Sequence, residues 1–118
     1  MRIIILVTAL LAAAMPVTAL ATAYDGMWRV TVITDKGECD RAYGYDVAVS
    51  QGRVRYQGQA SINLGGTVSP NGAVKVSVSK GGQRADGSGK LAANSGGGTW
   101  RGVGGTGACS GHWEAERR

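Results

Sequence analysis

The sequence predicts an all-β domain: a small antiparallel up-and-down meander of about eight strands, closed into a barrel or half-barrel. Three observations lead there. Beyond residue 23 the apolar residues recur with period two, and no stretch shows the 3.6-residue period of a helix. Turn-forming clusters interrupt the runs at short intervals: Asp35-Lys36-Gly37, Gln51-Gly52, Pro70-Asn71-Gly72, Gly81-Gly82 and Asn94-Ser95-Gly96. Those intervals leave no room for crossover helices, so successive strands are expected to be antiparallel neighbours.

The first strand is read at 26–34, with Trp28, Val30 and Val32 on one face and Met27, Arg29 and Thr31 on the other. The second, at 41–50, sets Tyr43, Tyr45, Val47 and Val49 inward. In the third, 53–58, Val54 and Tyr56 alternate with Arg53, Arg55 and Gln57; in the fourth, 60–68, Ile62 and Leu64 alternate with Ser61 and Asn63. The fifth, 73–79, is the clearest, with Val74, Val76 and Val78 against Lys75 and Ser77. The last three, 83–92, 98–104 and 107–116, are rich in Gly, Ala and Ser. A flexible linker of that composition would not be expected to hold Leu91, Trp100, Val103, Cys109 and Trp113, so these segments are read as strands bent by glycine. An open sheet of this size would expose two edges and a bare apolar face, and closure removes both.

Residues 1–23, MRIIILVTALLAAAMPVTALATA, have the single charge of Arg2, an apolar run, and an Ala21-Thr22-Ala23 ending. That is the pattern of a cleaved secretory signal peptide. The unbroken apolar run is about 13 residues, against the roughly 20 that a spanning helix needs. No membrane span is expected after cleavage, and residues 24–118 form one domain. Export, to the periplasm or the exterior, places Cys39 and Cys109 where an even pair of thiols oxidises. In an eight-stranded meander both lie at the same end of the barrel, Cys39 before strand 2 and Cys109 near the start of strand 8. Their bridge would span strand 1 and fasten the closing strand to the first hairpin, and would be worth about 4 kcal/mol.

Groups that could carry chemistry are few, and no catalytic residue, metal site or cofactor is predicted. The one histidine, His112, has the outward parity of strand 8 and is read as a solvated surface residue, without the oriented base and nucleophile of a catalytic triad. Asp35, Glu38 and Asp40 cluster beside Cys39, interleaved with Lys36 and Arg41; they are read as a charge-balanced loop on the rim of the barrel and a candidate binding determinant. GGQRADGSGKL only superficially resembles a phosphate loop, because Arg84 and Leu91 stand where a glycine and a hydroxyl residue are required. The formal charge of +5 is mild. Arg53, Arg55 and Lys75 face outward without the outward aromatics on which nucleic acid bases stack, so nucleic acid is not an expected partner.

All three tryptophans follow a glycine by two residues: Gly26 and Trp28, Gly98 and Trp100, Gly111 and Trp113. Residues two apart on a strand share a face. Each indole therefore either lies over its own glycine, or leaves that glycine to be covered by a neighbour's ring. The chain has no phenylalanine, so the three tryptophans and the tyrosines are expected to supply most of the large core volume. The six aromatics Trp28, Tyr43, Tyr45, Tyr56, Trp100 and Trp113 are also the candidate lining of an interior pocket, with unfilled space beside the glycine-rich strands.

The G-x-W at the start of the first strand resembles the opening of calycin-type barrels: lipocalins, avidins and bacterial metalloprotease-inhibitor barrels. In many of these a basic residue near the end of the last strand packs on the first tryptophan. Arg117 has the parity for that place, so the resemblance implies a cation–π contact with Trp28 worth about 0.5–2 kcal/mol. Along nearly the whole chain, YDGMW, GECDRAY, VSPNGAVKVSV, GSGKL, GGGTWRGVG and CSGHWEAERR are similar to small exported alphaproteobacterial proteins of unknown function, some labelled for haem utilisation or adhesion. That likeness implies export and a shared fold. Met27, His112 and the tyrosines are the only candidate haem ligands. The expected function is a non-catalytic exported binding module for a small apolar ligand, a cell-envelope component or an extracytoplasmic protein. The alternatives are a protease-inhibitor-like barrel plugging its target with a terminal segment or rim loop, and a hydrophobic-ligand or haem-associated carrier.

Overall fold

The computed structural model describes residues 22–118, so all but the last two residues of the expected signal peptide lie outside the described residues. Eight strands follow one another: β1 (Gly26–Lys36), β2 (Ala42–Ser50), β3 (Arg53–Tyr56), β4 (Asn63–Val68), β5 (Ala73–Lys80), β6 (Gln83–Leu91), β7 (Ser95–Gly104) and β8 (Gly107–Arg117). Each pairs antiparallel with the next, and β8 returns to β1, giving a closed barrel. No helix among the described residues is long and apolar enough to cross a membrane.

Four boundaries differ from the sequence reading by more than one residue. β7 starts at Ser95, because Ala92 N–H donates to Ser95 O (2.7 Å) and moves the turn to residues 92–94. β3 stops at Tyr56 and β4 starts at Asn63, so residues 57–62 form a loop where strand was expected. β1 extends to Lys36 through an irregularity in its pairing with β8, where Asp35 is the extra residue. The β2–β3 hairpin is tight, with positive φ at both Gln51 (53°) and Gly52 (77°), the geometry of a type I′ turn. Glycine meets that demand without cost; at Gln51 the Asp25 carboxylate holds the backbone N–H at 3.1 Å.

Side chains of one parity fill the interior. Trp28 is 1% exposed, and Val47, Val49, Val54, Val68, Val74, Leu91, Trp113 and Ala115 are buried with it. These residues lie toward the end of the barrel where the odd-numbered strands begin, hereafter the closed end. The chain seals that end with its own N-terminal segment. Trp28 Nε1 donates to Tyr24 O (2.9 Å), and the Arg117 guanidinium lies 4.6 Å from the Trp28 ring centroid while donating to Asp25 O, Ala23 O and Ala93 O at 2.6–2.8 Å. Arg117→Ala should therefore cost about 1–2 kcal/mol in urea unfolding, with part of the loss remaining in Arg117→Lys, which keeps charge but not the planar fork. No loss in either variant would remove the cap's structural role.

The glycine-tryptophan triplets of β7 and β8 face each other in reverse order: Gly98 pairs with Trp113, Thr99 with His112, and Trp100 with Gly111. Each glycine is thus the cross-strand neighbour of the other triplet's indole, the second of the two arrangements expected above. Trp100 Nε1 donates across β8 to Ile33 O of β1 (2.9 Å), and Trp113 Nε1 donates across β7 to Ser88 O of β6 (3.1 Å). A Cβ on Gly111 would collide with that same Ile33 oxygen, and one on Gly98 with that same Ser88 oxygen. Bare Cα atoms let the strands approach so closely that each indole can reach two strands away. The third triplet works differently: Gly26 has φ of 133° and starts β1, with Arg117 Nη1 3.0 Å from where a Cβ would stand.

Cys39 and Cys109 are joined, with their Cα atoms 6.1 Å apart. The bond ties the β1–β2 loop to β8 across β1, at the end opposite the Trp28 cap. A closed pair of this kind fits an oxidising compartment.

Candidate functional site

Opposite the cap the barrel is not filled. An interior cup of about 620 Å³ runs from a floor of Trp28, Val49, Val74 and Ala115 toward the ends of the odd-numbered strands, hereafter the mouth. The alternation that buries the floor continues to the mouth, but the inward residues there are only half-buried: Tyr43, Tyr45, Tyr56, Leu64, Val76 and Ala85. Volume explains the space. On β6 and β7 the inward positions near the mouth are Ala85, Gly87, Gly102 and Gly104, which project little into the barrel, while tyrosines stand on β2 and β3 opposite.

The three tyrosines form one connected lip. Tyr43 and Tyr45 stack with ring centroids 6.4 Å apart, and Tyr45 meets Tyr56 edge-on at 6.2 Å. The Tyr43 hydroxyl accepts from Asp40 N–H and the Tyr56 hydroxyl from Ala60 N–H, both at 3.2 Å, so two loops of the mouth are fastened to the lip. Burial, followed by the neighbouring Tyr43 and Tyr56, raises the pKa of the Tyr45 phenol above its ordinary value.

All six candidate aromatics line this cavity, in two groups. The indoles of Trp28, Trp100 and Trp113 are buried and spend their N–H groups on backbone carbonyls, so they are wall and floor. The tyrosines are the accessible group. Of the rim acids, Glu38 and Asp40 border the cup, whereas Asp35 follows buried Thr34 and stands, like Ile33, on the outer wall. There His112 has the exposed, outward position read for it but is not isolated: its Nδ1 lies 2.7 Å from Asp35 Oδ2. The Lys36 and Arg41 expected to balance this loop make no ion pair with its acids.

The Asp35 hydrogen bond, helped by the charges of Asp35 and Glu114, raises the His112 pKa above the ordinary value of about 6.5. Because the folded pKa lies above the unfolded one, the pair's contribution to stability is complete below about pH 6.5 and lost as pH rises through the folded value. Both partners are exposed, so the effect is small and best read by NMR titration. His112 should titrate above its ordinary value and return to it in Asp35→Asn; an unchanged titration in that variant would refute the pair.

Sequence reading missed the loop at 57–62, which borders the mouth with Ala60 and Ile62. Its signal was present in Gln57-Gly58-Gln59, a glycine among polar residues between two apolar runs. The haem candidates do not converge, since Met27 is exposed on the outer face of β1, His112 is on the outer face of β8, Tyr24 is at the closed end and the other three tyrosines are in the mouth. Among the described residues no three His, Cys, Asp or Glu side chains are placed to hold a metal ion.

Fold and cavity together define a class, a single-domain up-and-down β-barrel capped at one end and open at the other. No family model, curated protein or solved structure matches this chain, so the class is as far as comparison takes it.

Proposed function

We propose that the protein is an exported, non-catalytic binding module that takes a small apolar ligand into its barrel. One observation carries this reading: a cup of about 620 Å³, lined by valines, tyrosines and glycines and open at the mouth. Ligand sites are commonly cavities of about 300–1,000 Å³ with mostly apolar walls, and barrel mouths are a frequent location. The resemblance to calycin-type barrels points the same way, as do the signal-like leader and the closed disulfide for export. Of the two plugs open to the inhibitor alternative, the terminal one is engaged elsewhere, since residues 24–26 are bound to the barrel's own closed end, which leaves the rim loop.

Titration of the oxidised protein with N-phenyl-1-naphthylamine, an uncharged fluorescent probe, tests the reading. Saturable one-to-one binding is expected, and Ala85→Trp, which places an indole in the cup, should abolish it while leaving a cooperative unfolding transition. Non-saturable binding, or binding unaffected by Ala85→Trp, would overturn the proposal.

A further inference from the structure

We infer that the ligand is a single-chain amphiphile with an anionic head group, its chain in the cup and its head on Arg55 and Arg84 at the outer wall; this rests on reading the cup as a ligand site. The barrel wall parts beside the mouth. β3 and β4 pair at only three positions, from Arg53 with Thr67 to Arg55 with Gly65, and beyond these the chain leaves as the 57–62 loop. From this gap a groove of about 900 Å³ runs over the outer surface of β4 and β5 to Arg84. The groove and the cup share Tyr56, Ile62, Leu64 and Val78, and with them Ser79 and Arg84, so interior and exterior adjoin here across an apolar sill that ends on a hydroxyl and a guanidinium.

The polar groups around the groove favour an anion. Arg55, Gln57, Asn63, Ser79 and Arg84 supply donors, the Ser77 hydroxyl being given to Asp86, and no carboxylate lines the groove itself. In the cross-strand row from Arg55 to Ser77 the middle residue is Gly65, and a Cβ there would meet nothing nearer than Val54 O at 4.0 Å, so the floor between them lies open. Arg55 has no carboxylate within ion-pair distance among the described residues. Arg84 has only Asp86, 3.7 Å away with both side chains more than half exposed; Asp86 also accepts from Ser77 at 2.6 Å. Such a loose surface pair contributes little and gives way to a better-placed anion.

The wider field agrees. From β3 to β7 the chain carries seven Lys or Arg and one carboxylate, Asp86, whereas Glu38 and Asp40 stand across the mouth on the β1–β2 loop. An anionic head leaving the cup is thus repelled from one rim and attracted to the other, toward the gap. A cationic head meets the opposite field, and a neutral one meets neither.

Calorimetric titration of the oxidised protein with decanoate, decan-1-ol and decyltrimethylammonium at low ionic strength separates these cases. Decanoate should bind about tenfold tighter than decan-1-ol, the scale of two exposed charge contacts, and the advantage should shrink in salt. Arg55→Gln with Arg84→Gln should bring decanoate to the affinity of decan-1-ol without changing the alcohol, which also shows that the variant is folded. Equal affinities for decanoate and decan-1-ol, or decanoate binding unaffected by the double substitution, would overturn the head-group assignment and leave the cup intact. Binding of none of the three would overturn the reading of the cup itself.

Discussion

Trp113→Ala is expected to lower the stability of the barrel by about 3–5 kcal/mol, the usual cost of deleting a large buried aromatic side chain. Trp113 is 5% exposed, and its ring atom Cζ2 lies 2.6 Å from where a Gly89 Cβ would stand, so nothing else can move into its place without rebuilding β6. Its indole N–H also satisfies Ser88 O at 3.1 Å. A small domain commonly has only about 5–15 kcal/mol in total, so this change takes a large share of it. Urea unfolding at fixed oxidation state measures the loss. The same truncation at half-buried Tyr45 should cost clearly less stability and act on ligand binding instead. Equal losses at the two positions would contradict the division between structural indoles and an accessible tyrosine lip.

The second large effect is expected from Cys39→Ser combined with Cys109→Ser. The bridge closes a separation of 70 residues, for which the chain-entropy estimate is about 4 kcal/mol. Location adds a local consequence: Cys39 lies in the β1–β2 loop, whose Asp40 N–H donates to the Tyr43 hydroxyl. Opening the bridge should therefore loosen the tyrosine lip as well as destabilise the whole. Unfolding of the double variant beside the oxidised wild type measures the first effect, and probe affinity measures the second. Two titratable thiols in the native protein would refute the bridge outright.

Much of this was legible from alternation alone. Tyr43 and Tyr45 share a face with Val47 and Val49 because strand residues two apart must, and closure followed from eight short strands that would otherwise leave edges exposed. The disulfide's position followed from the same parity. Three features were not legible, each for its own physical reason. The extent of the gap between β3 and β4 is one: Gln57-Gly58-Gln59 marks a break, but local propensity does not fix where pairing stops and resumes on either side of it. The His112–Asp35 contact depends on β1 continuing to Lys36, past the Asp35-Lys36-Gly37 cluster whose composition marks a turn, so that Asp35 joins His112 on the outer face. The size of the cup depends on whether indoles or empty space cover the glycines of β6 and β7. The sequence contains those glycines but not the direction in which Trp100 and Trp113 lean.

The reversed pairing of the two triplets has one more implication, concerning error. In the native register Gly98 meets Trp113 and Trp100 meets Gly111, so every large inward group faces a small one. Let β8 slip by two residues one way and Trp100 would face Trp113, with Gly102 left against Gly111. A slip the other way sets Gly98 against Gly111 and Trp100 against Cys109. Either slip keeps all side chains on their proper faces, so hydrophobic patterning alone would not reject it. What rejects it is volume, as one alternative crowds two indoles into a single row and the other leaves a row empty. The triplets thus act as a checksum written into the last two strands: a short repeat whose two copies are correct only when read against each other, and which lets a glycine-rich seam close in one alignment.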